Sequence, residues 1–461
     1  MSDLAATDEW MISVDDHIIE PPNVWVDRLP AKHRDRGPRW VNDDRGEAWL
    51  VEDSTRVPVS GAVTAGAYWP ADERPSAFKP LAWSEIPASC YDPAARAEAM
   101  NRDRVIAALM FPNLPGFAGS LFQKMKDKDL ALLCIQAYND WLLEDFAPAI
   151  PGRVIGLGLI PMWDGKLAAA EAERALSMGA RAISYSMAPH QIGYPPIHDE
   201  YWDPLFSVMN DANLPLCTHL GTGIGGDDGQ FDFSKIADLM TSMGDPAKLK
   251  ELASDPMLGQ IAEAMGFGDP NKRRPKPIVQ VTMQLDGQTT LLEWIASGSF
   301  DRFPNLKVAL SENGIGWIPA VLQIADWAHE MSRDRVTSPW QPENDVQVSA
   351  QGQQLAQAGI EAKAKAAAAE RLPSNVFRDH IYGCFIHDPV GLQLIDYIGV
   401  DNVMIETDFP HNSTWWPQSM DKAQEWCLDL PADVRYKVLR GNAERLFSFT
   451  PAEPPALPAL V

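Results

Sequence analysis

The sequence predicts an α/β fold, a distorted (β/α)8 TIM barrel with insertions after strands one and five, and three observations carry that reading. Eight short apolar or β-rich runs recur along the 461 residues, helical patterns fill the intervals, and charged residues end several of the runs. Strand, helix, strand repeated through a whole chain implies parallel strands with right-handed crossovers, and eight such strands close as a barrel. A doubly wound open sheet is the competing architecture, but no Gly-rich phosphate loop follows the first run.

In chain order, the runs cover residues 11–14, 105–111, 154–160, 180–186, 214–218, 306–310, 381–385 and 403–405. The last, Val403-Met404-Ile405, has the composition of a strand covered on both faces. Helical patterns occupy 129–146, 165–178, 203–212, 289–300, 317–331, 390–398 and 433–447. Three stretches exceed what a crossover needs. Residues 21–92, rich in Pro, Trp and Gly, follow strand one, and residues 222–277 follow strand five. Both leave from the C-terminal ends of strands, so they are expected to wall and cover the barrel mouth. Residues 341–373 contain EAKAKAAAAER, whose alanines favour a helix, here expected at the far side of the barrel and at a subunit contact. Residues 1–450 thus read as one barrel domain, and the Pro-rich tail 451–461 as extended along a neighbour or disordered.

Composition bounds the function. With 46% hydrophobic residues the chain can bury a large core. A formal net charge of -24 and a pI near 4.7 argue against nucleic-acid and anionic-membrane partners, which need basic surface. No run approaches the roughly 20 apolar residues of a membrane span. The start, MSDLAATDEWM, lacks the basic and apolar regions of a secretory signal, and Cys90, Cys134, Cys217, Cys384 and Cys427 form no CxxC pair. Reduced thiols in a cytoplasmic protein are the expectation, with Cys217 and Cys384 serving as small strand residues rather than nucleophiles.

The strand ends carry the chemistry. Strand one runs into Asp15-Asp16-His17, and residues two apart share a face, so Asp15 and His17 point one way and Asp16 the other. A carboxylate beside an imidazole suits a divalent metal. Strand five ends at His219 before a Gly-containing turn, strand six at Glu312, and strand eight leads to Asp408 within Glu406-Thr407-Asp408-Phe409-Pro410-His411. Singly, each has a plainer explanation: an aspartate after a strand caps a helix or turn, and a lone histidine is usually a hydrogen-bonded structural residue. Random placement would rarely put such residues at the ends of strands one, five, six and eight together, which favours a metal site.

These residues resemble a known family. Asp-x-His on strand one, Thr-His-x-Gly on strand five and the Asp-Phe-Pro-His end of strand eight are similar to the amidohydrolase-related family, the branch of metal-dependent hydrolase barrels that includes aminocarboxymuconate-semialdehyde and resorcylate decarboxylases. The resemblance spans nearly the whole chain, and VDDHIIEPP and DFPH are its most specific parts. It implies a distorted barrel with one divalent metal at the mouth, held by Asp15, His17, His219 and Asp408. It also implies a dimer or higher assembly, homo- or hetero-oligomeric. Where the family's decarboxylases carry a catalytic histidine after strand six, this chain has Ser311-Glu312-Asn313-Gly314, which weakens the transfer of decarboxylase chemistry.

Two histidines with two or three carboxylates suit zinc, manganese or iron. The leading expectation is metal-assisted hydrolysis or decarboxylation of a small-molecule substrate, with Asp408 taking or orienting the proton of a metal-activated water and Glu312 or His411 acting as acid. If Glu312 binds metal directly, a two-metal centre with His190 or His387 as extra nitrogen becomes the alternative. Superfamily offshoots of that kind hydroxylate aliphatic substrates with iron or manganese pairs. An inactive partner subunit is the third reading. Trp69, Trp83, Phe117, Tyr185, Trp317, Trp415 and Trp416 are candidate pocket walls, though such aromatics more often anchor loops. Arg273 and Arg274, the basic knot of an acidic chain, read as a solvated loop.

Overall fold

The computed structural model describes residues 9–77, 79–222, 276–334 and 371–455. The Arg273–Arg274 pair, the Ala-rich segment and nearly all of the stretch after strand five lie outside the described residues.

Eight parallel strands form the core: β1 Met11–Ile18, β2 Val105–Pro112, β3 in two pieces (Val154–Ile155 and Leu157–Gly158), β4 Ala182–Tyr185, β5 Pro215–His219, β6 Lys307–Ser311, β7 Ile381–Phe385 and β8 Val403–Ile405. Each pairs in parallel with the next. The two pieces of β3 flank Gly156, the first pairing with β2 and the second with β4. The ring closes between β8 and β1, where the Asp408 amide donates to the Asp15 carbonyl (2.8 Å) and the His17 amide to the Phe409 carbonyl (2.7 Å). All eight expected strands are present, and the closed ring excludes the open-sheet alternative.

Alternation along the strands sorts two cores. Ile12 and Val14, Ala107 and Leu109, Ile155 and Leu157, Ala182, Cys217, Ala309, Cys384 and Met404 fill the barrel interior, and Trp10, Leu446 and Phe447 join the same cluster. Small residues on five of the strands let this interior close around the larger aliphatics. Cys217 and Cys384 are therefore interior packing residues, and burial drives both thiols well above the usual range. The opposite strand faces pack against helices. Tyr185 lies there, in edge contact with Trp202 at 5.1 Å and tilted against Trp294 at 5.9 Å, so it does not wall the mouth as the sequence suggested.

Several helices differ from expectation. The helix expected at 289–300 begins at Lys276 and runs to Ala296, and a separate turn, Ser299–Arg302, follows Gly298 in the left-handed region (φ 69°). The 390–398 pattern is two short helices, Pro389–Gln393 and Ile395–Ile398, the first capped by Asp388 accepting from the Gly391 amide at 2.8 Å. The first strand's helix is Pro93–Arg102, directly after the insertion that ends at Asp92; Asp92 caps it through the Ala95 amide. No helix among the described residues is long and apolar enough to cross a membrane. Of the tail, Pro451 to Pro455 is described, and the Ala452 amide donates to the Gly152 carbonyl at 2.9 Å.

The insertion after β1 has its own antiparallel sheet, Arg39–Asp43, Gly46–Val51 and Thr55–Val57. Trp25, Trp40, Trp49 and Trp83 interlock edge to face beneath it, and the Trp25 indole donates to the Cys134 carbonyl of the neighbouring helix (3.0 Å). Trp83 is thus a loop anchor. A later part of the insertion reaches the mouth: the Gly66 amide donates to the Pro410 carbonyl (2.9 Å) and the Asn412 amide to the Ala62 carbonyl (3.0 Å). A Cβ on Gly66 would run into the Thr414 methyl and the carbonyl oxygens of His411 and Pro410. Gly66→Ala is expected to cost about 1–3 kcal/mol through overpacking and to push the His411 loop off the site, read as a lower urea midpoint.

Candidate metal centre

The strand ends bring Asp15, His17, His219, Glu312 and Asp408 together, with His411 as a sixth member. On β1, Ser13 pairs with Ala108 but Asp16 with Met110, so three steps along β1 match two along β2. This bulge re-aims the strand end. His17 Nε2 lies 3.4 Å from Asp15 Oδ1 and 2.9 Å from Asp408 Oδ1. His219, the last residue of β5, sets Nε2 3.1 Å from Asp15 Oδ2 and 3.8 Å from Glu312 Oε2. His411 Nδ1 lies 3.0 Å from Asp408 Oδ1, and its ring stacks on His17 with centroids 3.6 Å apart.

Backbone geometry sets the two acids. Glu312 (φ 60°) and Asp408 (φ 53°) both occupy the left-handed region that side chains avoid, a cost concentrated at functional sites. Two fixings hold them. The Glu312 amide donates to both carboxylate oxygens of Glu406 (3.2 Å each), and the Asp408 amide forms the β8–β1 closure. Asp408 Oδ2 also accepts from the Ser413 hydroxyl.

The donor atoms suit a cation. His219 Nδ1 lies 2.7 Å from the Leu220 carbonyl, an acceptor only, so Nδ1 carries a proton and Nε2 is the nitrogen turned towards the Asp15 carboxylate. Both oxygens of Asp15, both nitrogens of His17, His219 Nε2 and Asp408 Oδ1 are buried and find no hydrogen-bond partner outside the cluster itself. Leaving such groups unsatisfied costs about 1–3 kcal/mol each. Three overlapping triads, Asp15/His17/His219, His17/Asp408/His411 and Asp15/Glu312/Asp408, hold their ligand atoms within 4.8 Å of one another. Mixed nitrogen and oxygen donors at such spacing fit a divalent cation.

The electrostatics agree. Burial, then the neighbouring Asp408, pushes the Asp15 carboxyl well above its ordinary value, and the same two causes raise Glu312. Glu406 is raised by burial and then by Asp15. Burial would raise Asp408 too, but the facing His411 and His17 outweigh it and hold Asp408 below the usual carboxylate range. His17 is lowered by burial and by His411. Glu312 alone among the clustered carboxylates keeps solvent contact, its side chain being 20% exposed.

His190 and His387, the expected sources of extra nitrogen, stand apart from the triads. His190 pairs with Glu293 at 3.7 Å on the surface, and His387 packs against Trp426 (4.7 Å) and Trp415 (6.0 Å). The nitrogen that does lie within the cluster is His411 Nδ1. Of the proposed aromatic walls, Phe117 reaches the centre, stacked on His219 at 3.7 Å and tilted against His17 at 5.6 Å. Trp415 and Trp416 lie beyond the Asp408 loop, Trp416 buried with its indole on the Ala99 carbonyl (3.0 Å). Trp69 stands 5.6 Å from the Arg102 guanidinium, and the Trp317 indole donates to the Asn313 carbonyl (2.7 Å). Glu406 was missed, although the two-residue spacing that paired Asp15 with His17 also pairs Glu406 with Asp408.

Fold and site together define a (β/α)8 barrel with a candidate divalent-metal centre at the C-terminal ends of its strands. The chain belongs to the amidohydrolase family, whose profile, described as Amidohydrolase, matches residues 69–449. The match begins after β1, so the placing of Asp15 and His17 comes from the structure. An amidohydrolase of Mycobacterium avium subsp. paratuberculosis K-10 superposes with a TM-score of 0.61 at 18% identity, covering 96% of this chain and 100% of that one. The 5-carboxyvanillate decarboxylase of Novosphingobium aromaticivorans DSM 12444, with bound manganese, gives 0.54 at 17% identity, covering 96% and 98%. The dihydroxybenzoic acid decarboxylase of Polaromonas sp. JS666, also with manganese, gives 0.51 at 16% identity, covering 95% and 97%.

Proposed function

We propose that this chain is a metal-dependent enzyme of the amidohydrolase superfamily that hydrolyses or decarboxylates a small carboxyl- or amide-containing molecule. One observation carries the reading: buried nitrogen and oxygen atoms of Asp15, His17, His219 and Asp408, each able to ligate a metal, converge in overlapping triads whose ligand atoms lie within 4.8 Å of one another. These four would hold the ion, and Glu312 stands beside them. When bound, a divalent ion supplies Lewis acidity that polarises a carbonyl or carboxylate and acidifies water. The manganese-bearing decarboxylases that share the fold support this ion class.

Hydrolysis and decarboxylation share a need for a proton at the departing or newly exposed atom. Glu312 meets it: burial and the neighbouring Asp408 raise it towards the protonated form, and its part-exposed side chain at the mouth places that proton beside the centre. Asp408, held ionised, is a weak base and orients His17 and His411 through Oδ1. Phe117 excludes water from one side of His219.

A second reading has a specific observation behind it. Six side chains can donate, and a single tetrahedral ion takes about four. Two ions, with His411 and Glu312 completing the second, would suit an iron or manganese oxygenase that hydroxylates a small aliphatic molecule. Metal analysis of chain purified without chelator tests both. About one zinc or manganese per chain, unchanged in Glu312→Gln, supports the first reading; about two per chain with iron, falling in Glu312→Gln, supports the second. A chain with no metal would be left with the role of an inactive partner subunit.

A further inference from the structure

Beneath the centre lies a buried ion pair that the proposed chemistry does not use. We propose that Asp16 and Arg96 are positioning residues that hold the donors in register by locking the β8–β1 seam; the proposal rests on reading the centre as a metal site. Asp16 is 1% exposed and Arg96 0%. Asp16 Oδ1 accepts from the Ser13 hydroxyl (2.9 Å), the Thr407 hydroxyl and the Phe409 amide (3.3 Å), and Oδ2 lies 3.4 Å from Arg96 Nη1. Asp16 therefore grips the residues on either side of Asp408.

Arg96 holds the other half. Its Nη2 donates to the His17 carbonyl and its Nε to the Ser89 carbonyl (2.8 Å), while the guanidinium sits 4.6 Å over the Phe409 ring. The Ser13 hydroxyl oxygen accepts from the Thr407 amide (2.9 Å) and so ties the same two strands again. These contacts converge on Asp408, whose left-handed backbone persists only where its surroundings over-determine it. A buried ion pair adds little net stability, since desolvation offsets the attraction. What it adds here is geometry: β1 and β8 cannot slide without breaking charge-assisted hydrogen bonds, and sliding would separate Asp15 and His17 from Asp408.

The test uses full-length chain stripped by chelator and titrated with manganese, followed calorimetrically and by the paramagnetic resonance spectrum of the bound ion. Asp16→Asn, Arg96→Met and Thr407→Val are expected to weaken manganese binding about 10-fold or more and to broaden the spectrum. Thr407→Val keeps both charges paired, so its ion-free melting temperature should stay near that of wild type, and Thr407→Ser should restore the affinity. The double variant Asp16→Asn/Arg96→Met should bind no more weakly than the worse single variant, as expected of groups acting as one unit. Wild-type affinity in Thr407→Val, or losses that multiply in the double variant, would overturn the lock. A wild-type chain that takes up neither manganese nor, in parallel titrations, zinc or iron would instead overturn the metal reading, and the lock with it.

Discussion

A His219→Ala chain is expected to give up its divalent ion while keeping its barrel. The imidazole stands at the last position of β5, outside the interior cluster formed by Cys217 and its neighbours. Its contacts outside the donor set are the Leu220 carbonyl, the stacked Phe117 ring and the Phe111 ring, edge-on at 4.9 Å. Losing the stack costs about 0.5–1.5 kcal/mol, which a barrel of this size absorbs. Loss of affinity should be far larger. Residues that merely orient a ligand are each worth about 10–100-fold, and a direct donor should cost at least the upper end of that range. Elemental analysis after dialysis, paired with circular dichroism, reads both effects. Wild-type metal content in the variant would remove His219 from the centre.

The ion-free chain should become less stable between about pH 6.5 and 8, and the ion should reverse the trend. Asp103 and Glu20 are both pushed to about 7, each chiefly by burial, and Asp15, Glu312 and Glu406 are raised as well. A raised carboxyl binds more protons folded than unfolded. Its stabilising contribution is whole below the unfolded value, about 4, and is lost as pH climbs through the folded value. Lowered histidines act oppositely: His17 and His380 contribute stability that is lost as pH falls below about 6.5, so above that point they no longer mask the carboxyls. Asp408, depressed, loses its contribution only in strong acid. Manganese at about a thousand times its dissociation constant should add about 4 kcal/mol, most visibly at the alkaline end. Thermal unfolding across this range, with chelator and then with manganese, reads the slope. Stability that climbs with pH in chelator would contradict it.

What the sequence disclosed follows from how information is stored along a chain. Strand positions were legible because buried parallel strands such as β2, from Val105 to Pro112, are nearly continuous apolar runs. Asp15, His17, His219, Glu312 and Asp408 were legible because a strand that ends in a charged residue is a local pattern. Arg96 was not, since nothing near it marks a guanidinium as wholly buried; its carboxylate partner lies on β1 and the ring it covers after β8. His411 was assigned as an acid, and only tertiary closure shows it stacked on His17. The sheet of the first insertion was hidden for another reason. Arg39–Asp43 is half-buried to exposed throughout, so no apolar run announces it.

The seam between the first and last barrel strands has a consequence for biosynthesis. Asp16 and Thr407 touch across a sequence separation of 391, and every candidate ligand triad draws on the amino-terminal strand. A chain still emerging from the ribosome holds Asp15, His17 and His219 long before Asp408 exists, so it can offer a nascent, incomplete cradle but never the finished one. The full donor set is then assembled only when synthesis and the ring are both complete.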